Sequence, residues 1–379
     1  MLPCYRWRRF LFSSDGRPAD ITMSDDTRAD KAITIHDVAR EAGVSAMTVS
    51  NVLNGRGRVA PTTADTIREV VGRLGYRPSV AARRLRLSHQ WAITMLIVVE
   101  DPDFLSDPFI TAQVTGLTNY LNRHSYSLII RGIRPSEFSK SDLFRGFEAD
   151  GIVAIFSGDL AERERFLTAI EALRVPIVLM HEYTLPPRPD CIRLRQDDFS
   201  GGLQIGRHLL GNGMRRLWML MPDAHWPAMD GRWAGVTSAV AEVPGADLRQ
   251  INCGNESFLQ TRDATTIALE QYGTPDAIVG GNDQLAVAAM MTCVRRGLVV
   301  PDDVQITGFN GFDFWQYVQP TLTTVKSSAH LLGERAAQEL LYRLQHGAFS
   351  SQELVLPVTL EVGRSTAQLT RPLSSADFD

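Results

Sequence analysis

Long apolar runs are missing from this 379-residue sequence. No stretch approaches the ~18 uninterrupted apolar residues that a membrane span needs. Cysteine is also scarce. Cys4, Cys191, Cys253 and Cys293 lie far apart, with no C-x-x-C pair and no dense framework. Such spacing suggests neither a zinc site nor a disulfide scaffold and fits reduced thiols in a cytoplasm. The common catalytic signatures are absent too: no G-x-S-x-G elbow, no H-E-x-x-H, no P-loop, no G-x-G-x-x-G. Acids and histidines are scattered without metal-ligand spacing. These absences argue against an enzyme, a metal site and a cofactor.

What remains is ordinary in bulk and uneven in detail. Apolar residues make up 44% and charged residues 22%, a globular composition. The length suggests two to three domains. Residues 33–90 carry nine arginines against four acids, a net of +5, whereas residues 91–379 carry 24 basic and 34 acidic residues, a net of -10. A small basic block on a large acidic body points to one piece that meets a polyanion. The first 22 residues hold Arg6, Arg8 and Arg9 before a three-residue apolar stretch, too short for a secretory h-region. Met23 opens a polar segment and is the expected functional start. Residues 1–32 are expected to be a disordered or over-called extension.

The basic block reads as three helices. Thr34-Ile35-His36-Asp37 resembles a capping box, with Asp in the fourth position. Ile35, Val38, Ala39 and Ala42 follow at helical spacing, and Gly43 suits a left-handed C-terminus. Ser45 is placed to cap a second helix, Ala46 to Leu53, with Val49, Val52 and Leu53 on its apolar side. Two short helices around a glycine turn form the helix-turn-helix pattern. Pro61 opens a third helix with Ile67, Val70, Val71 and Leu74 inward and Gly75 as terminator.

Residues 33–87 go further. They contain D-V-A-x-x-A-G-V-S, T-V-S-x-V-L-N, L-G-Y-x-P and a following V-A-x-x-L in one register. The segment closely resembles the DNA-binding headpiece of the lactose/galactose repressor (LacI/GalR) family. The resemblance implies that Ala46, Met47 and Asn51 point to base edges while Ser45, Thr48 and Ser50 face phosphates. That division suits the chemistry: hydroxyls and amides at a helix start bind phosphate, Asn pairs with adenine, and apolar groups meet a thymine methyl. Residues 78–90 match the family hinge helix, which folds on DNA. Leu85 matches its minor-groove wedge, flanked by Arg83, Arg84 and Arg86.

From Trp91 onward, buried strands alternate with helices. Strands are expected at 93–99, 127–130, 151–156, 175–180, 217–221, near 248–251, 277–280 and 304–308. Helices are expected at 110–123, 161–173, 200–211, 232–242, 260–271 and 284–296. Such alternation implies parallel sheets with ligand groups at strand carboxyl ends. Two such halves resemble periplasmic sugar-binding proteins and the effector domain of the same repressor family. The likeness rests on Asp198–Gly202, Gly231–Gly235, Gly281-Asn282-Asp283, Asp303–Asn310 and Pro320–Val325. It implies an effector site at Phe109, Arg232, Asn282 and Asn310, with Phe258 as a cover. An Arg with amides can grip hydroxyls or a carboxylate, and an aromatic can stack on a ring. Relatives usually have Asp where Asn310 stands. Each position also has an ordinary use: Arg232 as a helix-start ion pair, Asn282 as a cap, Phe109 as lobe core. Asp283 reads as a structural cap, and His181-Glu182-Tyr183 as either cleft lining or loop.

The expected fold is thus an all-α helix-turn-helix headpiece (33–77) with a hinge (78–90), then a two-lobed α/β periplasmic-binding-protein-like domain (91–366). A polar tail (367–379) has no leucine heptad, so a homodimer is expected over a tetramer. The leading functional reading is a cytoplasmic, ligand-responsive repressor of a palindromic operator, with a carbohydrate-like effector. A periplasmic-type sugar-binding protein is the alternative, but it predicts a signal peptide and no basic headpiece. An enzyme on doubly wound lobes lacks catalytic residues. A regulator answering to a phosphorylated protein partner is the last rival.

Overall fold

The computed structural model describes residues 33–53, 59–76, 90–100, 103–140, 147–312 and 317–366. The N-terminal extension, the hinge residues Arg83, Arg84, Leu85 and Arg86, and the polar tail lie outside the described residues. The chain divides into two compact units, Met1–Leu87 and Ser88–Asp379.

The first unit holds α1 (Ile35–Glu41), α2 (Ala46–Leu53) and α3 (Pro61–Leu74). The Asp37 carboxylate accepts from the Thr34 amide at 2.9 Å and the Thr34 hydroxyl at 2.7 Å, which satisfies one of the donors a helix start leaves free. Gly43 turns the chain with φ 65°, and Gly75 ends α3 in the left-handed conformation. The core is small: Val38, Ala39, Val49, Ile67 and Val70 are buried, and Val52, Leu53, Val71 and Leu74 pack around them.

The second unit has two six-stranded sheets with the same plan. In lobe 1, β1 (Ala92–Val98), β2 (Ser127–Ile133), β3 (Gly151–Phe156), β4 (Ile177–Met180), β5 (Cys191–Gln196) and β11 (Glu353–Leu356) lie in the order β11-β5-β4-β3-β1-β2. In lobe 2, β6 (Arg216–Met221), β7 (Asp247–Asn252), β8 (Ala277–Gly280), β9 (Gln305–Asn310), β10 (Thr323–Lys326) and β12 (Thr359–Glu361) lie in the order β12-β10-β9-β8-β6-β7. Every pairing is parallel except β10 with β12. Every residue of β1 is buried, as expected of a strand covered on both faces.

Among the described residues, seven α-helices cover the sheets: α4 (Pro108–Arg123), α5 (Leu160–Glu171), α6 (Asp198–Gly211), α7 (Pro227–Ala241), α8 (Phe258–Tyr272), α9 (Asp283–Arg295) and α10 (Ala329–His346). Expected and observed bounds agree within a few residues, with α7 beginning five residues before the expected 232. The reading missed β5, β10, β11, β12 and α10. Chain order does not follow the lobes: α10 packs its Leu332, Ala336 and Leu340 into the lobe 1 core. The chain therefore crosses between lobes near 197, 327 and 357. The crossings are bonded to one another, Ser327 Oγ donating to Gln196 Oε1 at 2.8 Å and the Asp197 amide to the Leu356 carbonyl at 2.9 Å.

Two helix pairs touch through their backbones. A Cβ at Gly116 of α4 would lie 2.0 Å from the His330 carbonyl oxygen of α10, and one at Gly333 would lie 2.0 Å from the Gln113 oxygen. In lobe 2, a Cβ at Gly202 of α6 would lie 2.2 Å from the Arg232 oxygen, and one at Gly235 of α7 would lie 2.1 Å from the Phe199 oxygen. Only glycine permits such approach. Among the described residues, no helix is long and apolar enough to cross a membrane.

Candidate functional site

In the headpiece, Ser45 stands at the start of α2, and its hydroxyl accepts from the Thr48 amide at 3.1 Å and lies 2.9 Å from the Thr48 hydroxyl. Ser45 is exposed and Thr48, Ser50 and Asn51 are half-buried. Met47 is 68% exposed, a large apolar side chain with no core to fill. Ala46 instead packs partly against the headpiece core. Of the ten residues read as DNA-facing, the six on or beside α2 are thus placed, and Arg83, Arg84, Leu85 and Arg86 lie outside the described residues.

The second unit has a partly open cavity of about 60 Å³ between its lobes. Lobe 1 lines it with Asp107, Phe109, Ile110, Gln113, Ile155 and His181; lobe 2 lines it with Trp226, Ala228, Met229, Arg232, Glu256, Asn282 and Asn310. Nearly all follow or end a strand on its carboxyl side, where open α/β sheets gather ligand groups. Trp226 packs against the cores of both lobes.

Arg232 is buried, and its guanidinium is committed on three sides. Nε donates to Asp198 Oδ1 at 2.8 Å, Nη1 to the Gly281 carbonyl at 2.6 Å and Nη2 to Asn310 Oδ1 at 3.2 Å. Its Cζ lies 3.8 Å from the centre of the Phe309 ring. Asp198 is itself fully buried and accepts from Gln196 Nε2 at 2.9 Å and from the Tyr183 hydroxyl. The ion-pair use foreseen for Arg232 and its place in the site therefore coexist. Asn282 also has two uses. Its Oδ1 caps α9 through the Leu285 amide at 2.9 Å, while Nδ2 donates to Glu256 Oε2 at 2.7 Å.

Burial shifts the ionisable lining. It pushes Glu256 up to about 7, with the Asp107 charge adding to the rise and the Asn282 hydrogen bond and Arg232 opposing it. It raises Asp107 as well, against the Phe109 amide and the Arg232 charge. It holds His181 down to about 4, so the imidazole is neutral at physiological pH. His181 Nε2 lies 2.8 Å from Gln113 Nε2, and the His181 ring sits 5.2 Å from that of Phe109. Seven non-glycine residues among those described have positive φ, and three of them line the cavity: His181 at 60°, Glu256 at 66° and Asn310 at 108°. Such backbone outliers cluster at functional sites, where the surrounding fold holds them.

The structure brings together Phe109, Arg232, Asn282 and Asn310. Phe258 does not join them. It is 40% exposed at the start of α8 and absent from the lining, because the Ser257 cap turns the chain into the helix there. Glu256, two residues earlier, lines the cavity instead. Of His181-Glu182-Tyr183, only His181 reaches it. Glu182 forms a buried pair with Arg163 at 2.8 Å, and Tyr183 serves Asp198. Asp283 is structural, accepting from the Phe312 amide at 2.9 Å and the Thr324 hydroxyl at 2.5 Å. Asp107, Gln113 and Glu256 were not anticipated. The signal for Asp107 was its position before Pro108, a helix start following a strand.

Comparison with known proteins accounts for both units. Residues 34–79 match bacterial regulatory proteins of the lacI family, and residues 207–366 match a periplasmic binding protein-like domain. The ribose operon repressor of Bacillus subtilis (strain 168) is 28% identical over 339 residues, covering 88% of this chain and 98% of that protein. The HTH-type transcriptional repressor PurR of Mannheimia succiniciproducens is 26% identical over 344 residues, covering 89% and 99%. Among solved structures, the lac repressor dimer bound to operator and the anti-inducer ONPF superposes with a TM-score of 0.76 at 21% identity, covering 89% of this chain and all of that one. The regulator CelR in complex with cellobiose gives 0.65 at 23%, covering 88% and 99%. A headpiece segment that matches the lacI family of bacterial regulatory proteins, followed by two lobes on the periplasmic-binding plan, makes this chain similar to such repressors over nearly their whole length.

Proposed function

We propose that the protein is a ligand-responsive repressor that binds a palindromic operator as a homodimer and answers to a sugar or a related small polar metabolite. The observation that carries this reading is a cavity at the strand ends of two lobes, where Arg232, Asn282 and Asn310 stand among Phe109 and Trp226, on a chain that also presents Met47 from a helix-turn-helix. Several relatives are named PurR, but one represses a ribose operon, and solved neighbours hold cellobiose or ribose, which supports a sugar. Phe109, Arg232, Asn282 and Asn310 would meet the effector. Ala46, Met47 and Asn51 would read bases, with Ser45, Thr48 and Ser50 on phosphates and the 83–86 hinge in the minor groove. A homodimer is supported by α9, which leaves the apolar Met291 and Val294 exposed one turn apart.

The test begins with selection of random duplexes on the full chain, which should return an inverted repeat. Ribose, cellobiose or glucose should then change its retention. Asn51→Ala should cost roughly 1–3 kcal/mol of discrimination between the selected and a scrambled duplex while leaving the salt slope intact. Equal weakening on both duplexes would refute the base contact. Selection of a site without two-fold symmetry would refute the dimeric operator.

A further inference from the structure

The charges that line the cavity do not balance. Arg232 is the one Lys or Arg among the described lining residues, and its charge is matched from behind the wall by Asp198, which does not line the cavity. Three of its nitrogens are committed within the protein. Two acids remain, one from each lobe. Asp107 begins α4 and is held by the Phe109 amide at 2.8 Å. Glu256 follows β7 and is held by Asn282. Neither forms an ion pair among the described residues, and the Asp107 charge adds to the rise of Glu256. An anion entering this space meets carboxylates and finds no uncommitted cation.

A second observation is independent of charge. Gln113 is 0% exposed and His181 7% exposed. Gln113 Oε1 and His181 Nδ1 are buried with no hydrogen-bond partner among the described residues. The contact between Gln113 Nε2 and His181 Nε2 makes the ring nitrogen an acceptor, which places the imidazole proton on Nδ1. The pair then offers a ligand one acceptor, Oε1, and one donor, Nδ1–H. Turning the amide over swaps the two roles and keeps one of each. A hydroxyl both donates and accepts, and so satisfies the pair in either state. Phosphate and carboxylate oxygens only accept.

We infer that the cleft selects an uncharged or positively charged, donor-rich ligand, a polyol or an amino-substituted polyol, and excludes the phosphorylated and carboxylated forms of the same skeleton. This deepens the effector reading above and rests on it. Lobe 1 supplies a neutral donor–acceptor pair, and both lobes supply carboxylates that accept from hydroxyl or ammonium groups. Arg232 shapes the floor of the site and does not serve as an anion clamp.

The experiment has two arms, both on the full chain at pH 8. Isothermal titration pairs D-ribose with D-ribose 5-phosphate, D-glucose with D-glucose 6-phosphate and D-gluconate, and D-glucosamine with D-glucosamine 6-phosphate. For any skeleton that binds, the anionic form should bind at least tenfold more weakly. An anion that binds as tightly as its parent overturns the inference and leaves a ligand-responsive repressor intact. If no skeleton binds, the sugar reading fails, and the second arm decides the charge inference without a ligand. Asp107→Asn with Glu256→Gln keeps shape and the hydrogen bonds to Phe109 and Asn282. Its melting temperature should exceed that of the parent chain at pH 8, where both acids are ionised beside Arg232, and approach it near pH 5, where Glu256 is protonated. An equal or lower melting temperature at pH 8 overturns the acidic cavity.

Discussion

Both lobes secure the helix that carries their cavity residues with a reciprocal glycine contact, α4 against α10 in lobe 1 and α6 against α7 in lobe 2. The strand orders correspond as well. The polar groups so positioned differ in kind. In lobe 2, Arg232, Asn282, Asn310 and Glu256 are tied to one another or to the backbone before any ligand arrives. In lobe 1, Gln113 and His181 meet each other and leave an atom apiece unsatisfied. The comparison teaches that a duplicated scaffold can be divided by task. One half is pre-organised, and the other keeps an open demand that a ligand fills.

The largest test of that division is Arg232→Met. It strands Asp198, fully buried, without its cation, and breaking a buried pair from one side typically costs about 3–5 kcal/mol. Urea unfolding should register that loss, and a change below ~1 kcal/mol would break the picture of lobe 2 as a pre-tied network. A middle-sized effect is expected from Gly116→Ala and Gly235→Ala. Each adds a methyl about 2 Å from a backbone carbonyl, so α4 must move off α10, or α7 off α6, at roughly 1–3 kcal/mol. Similar costs in the two lobes would support their structural equivalence; a silent substitution in one would disprove it there. The smallest effect belongs to Gln113→Leu with His181→Phe. Replacing both partners of a buried pair by apolar groups is close to neutral, within about 1 kcal/mol of either sign. A loss like that of Arg232→Met would show lobe 1 to be as structurally dependent on its polar pair as lobe 2.

The headpiece was legible almost residue by residue because its signals are local: a cap at Thr34, glycines at 43 and 75, a proline at 61. The lobes were legible where strands are wholly apolar. Strand β5 escaped because Arg193 and Arg195 interrupt it, and both pair with Glu353 on β11, far along the chain. Helix α10 carried a readable stripe, Leu332, Ala336 and Leu340, that went unassigned. At the site, four cavity-lining positions, Phe109, Arg232, Asn282 and Asn310, were reached through family resemblance, while Gln113 and Glu256 depended on geometry no local pattern encodes. Gln113 acquires meaning only beside His181, 68 positions away. Glu256 reaches the cavity through a left-handed backbone ahead of α8, two residues before the Phe258 to which the resemblance pointed.

The interleaved order of the lobes has a consequence for synthesis on the ribosome. When residue 196 has emerged, lobe 1 possesses five of its six strands, yet one face of its sheet lacks α10 and the outer edge of β5 lacks β11. Those pieces arrive only after the whole of lobe 2 through β10 has been made. For that interval the nascent chain exposes an apolar sheet face and an unpaired strand edge, the two features that most invite intermolecular pairing. The arginines of β5 stand on that edge throughout the wait, charges that discourage a foreign strand until Glu353 arrives to neutralise them.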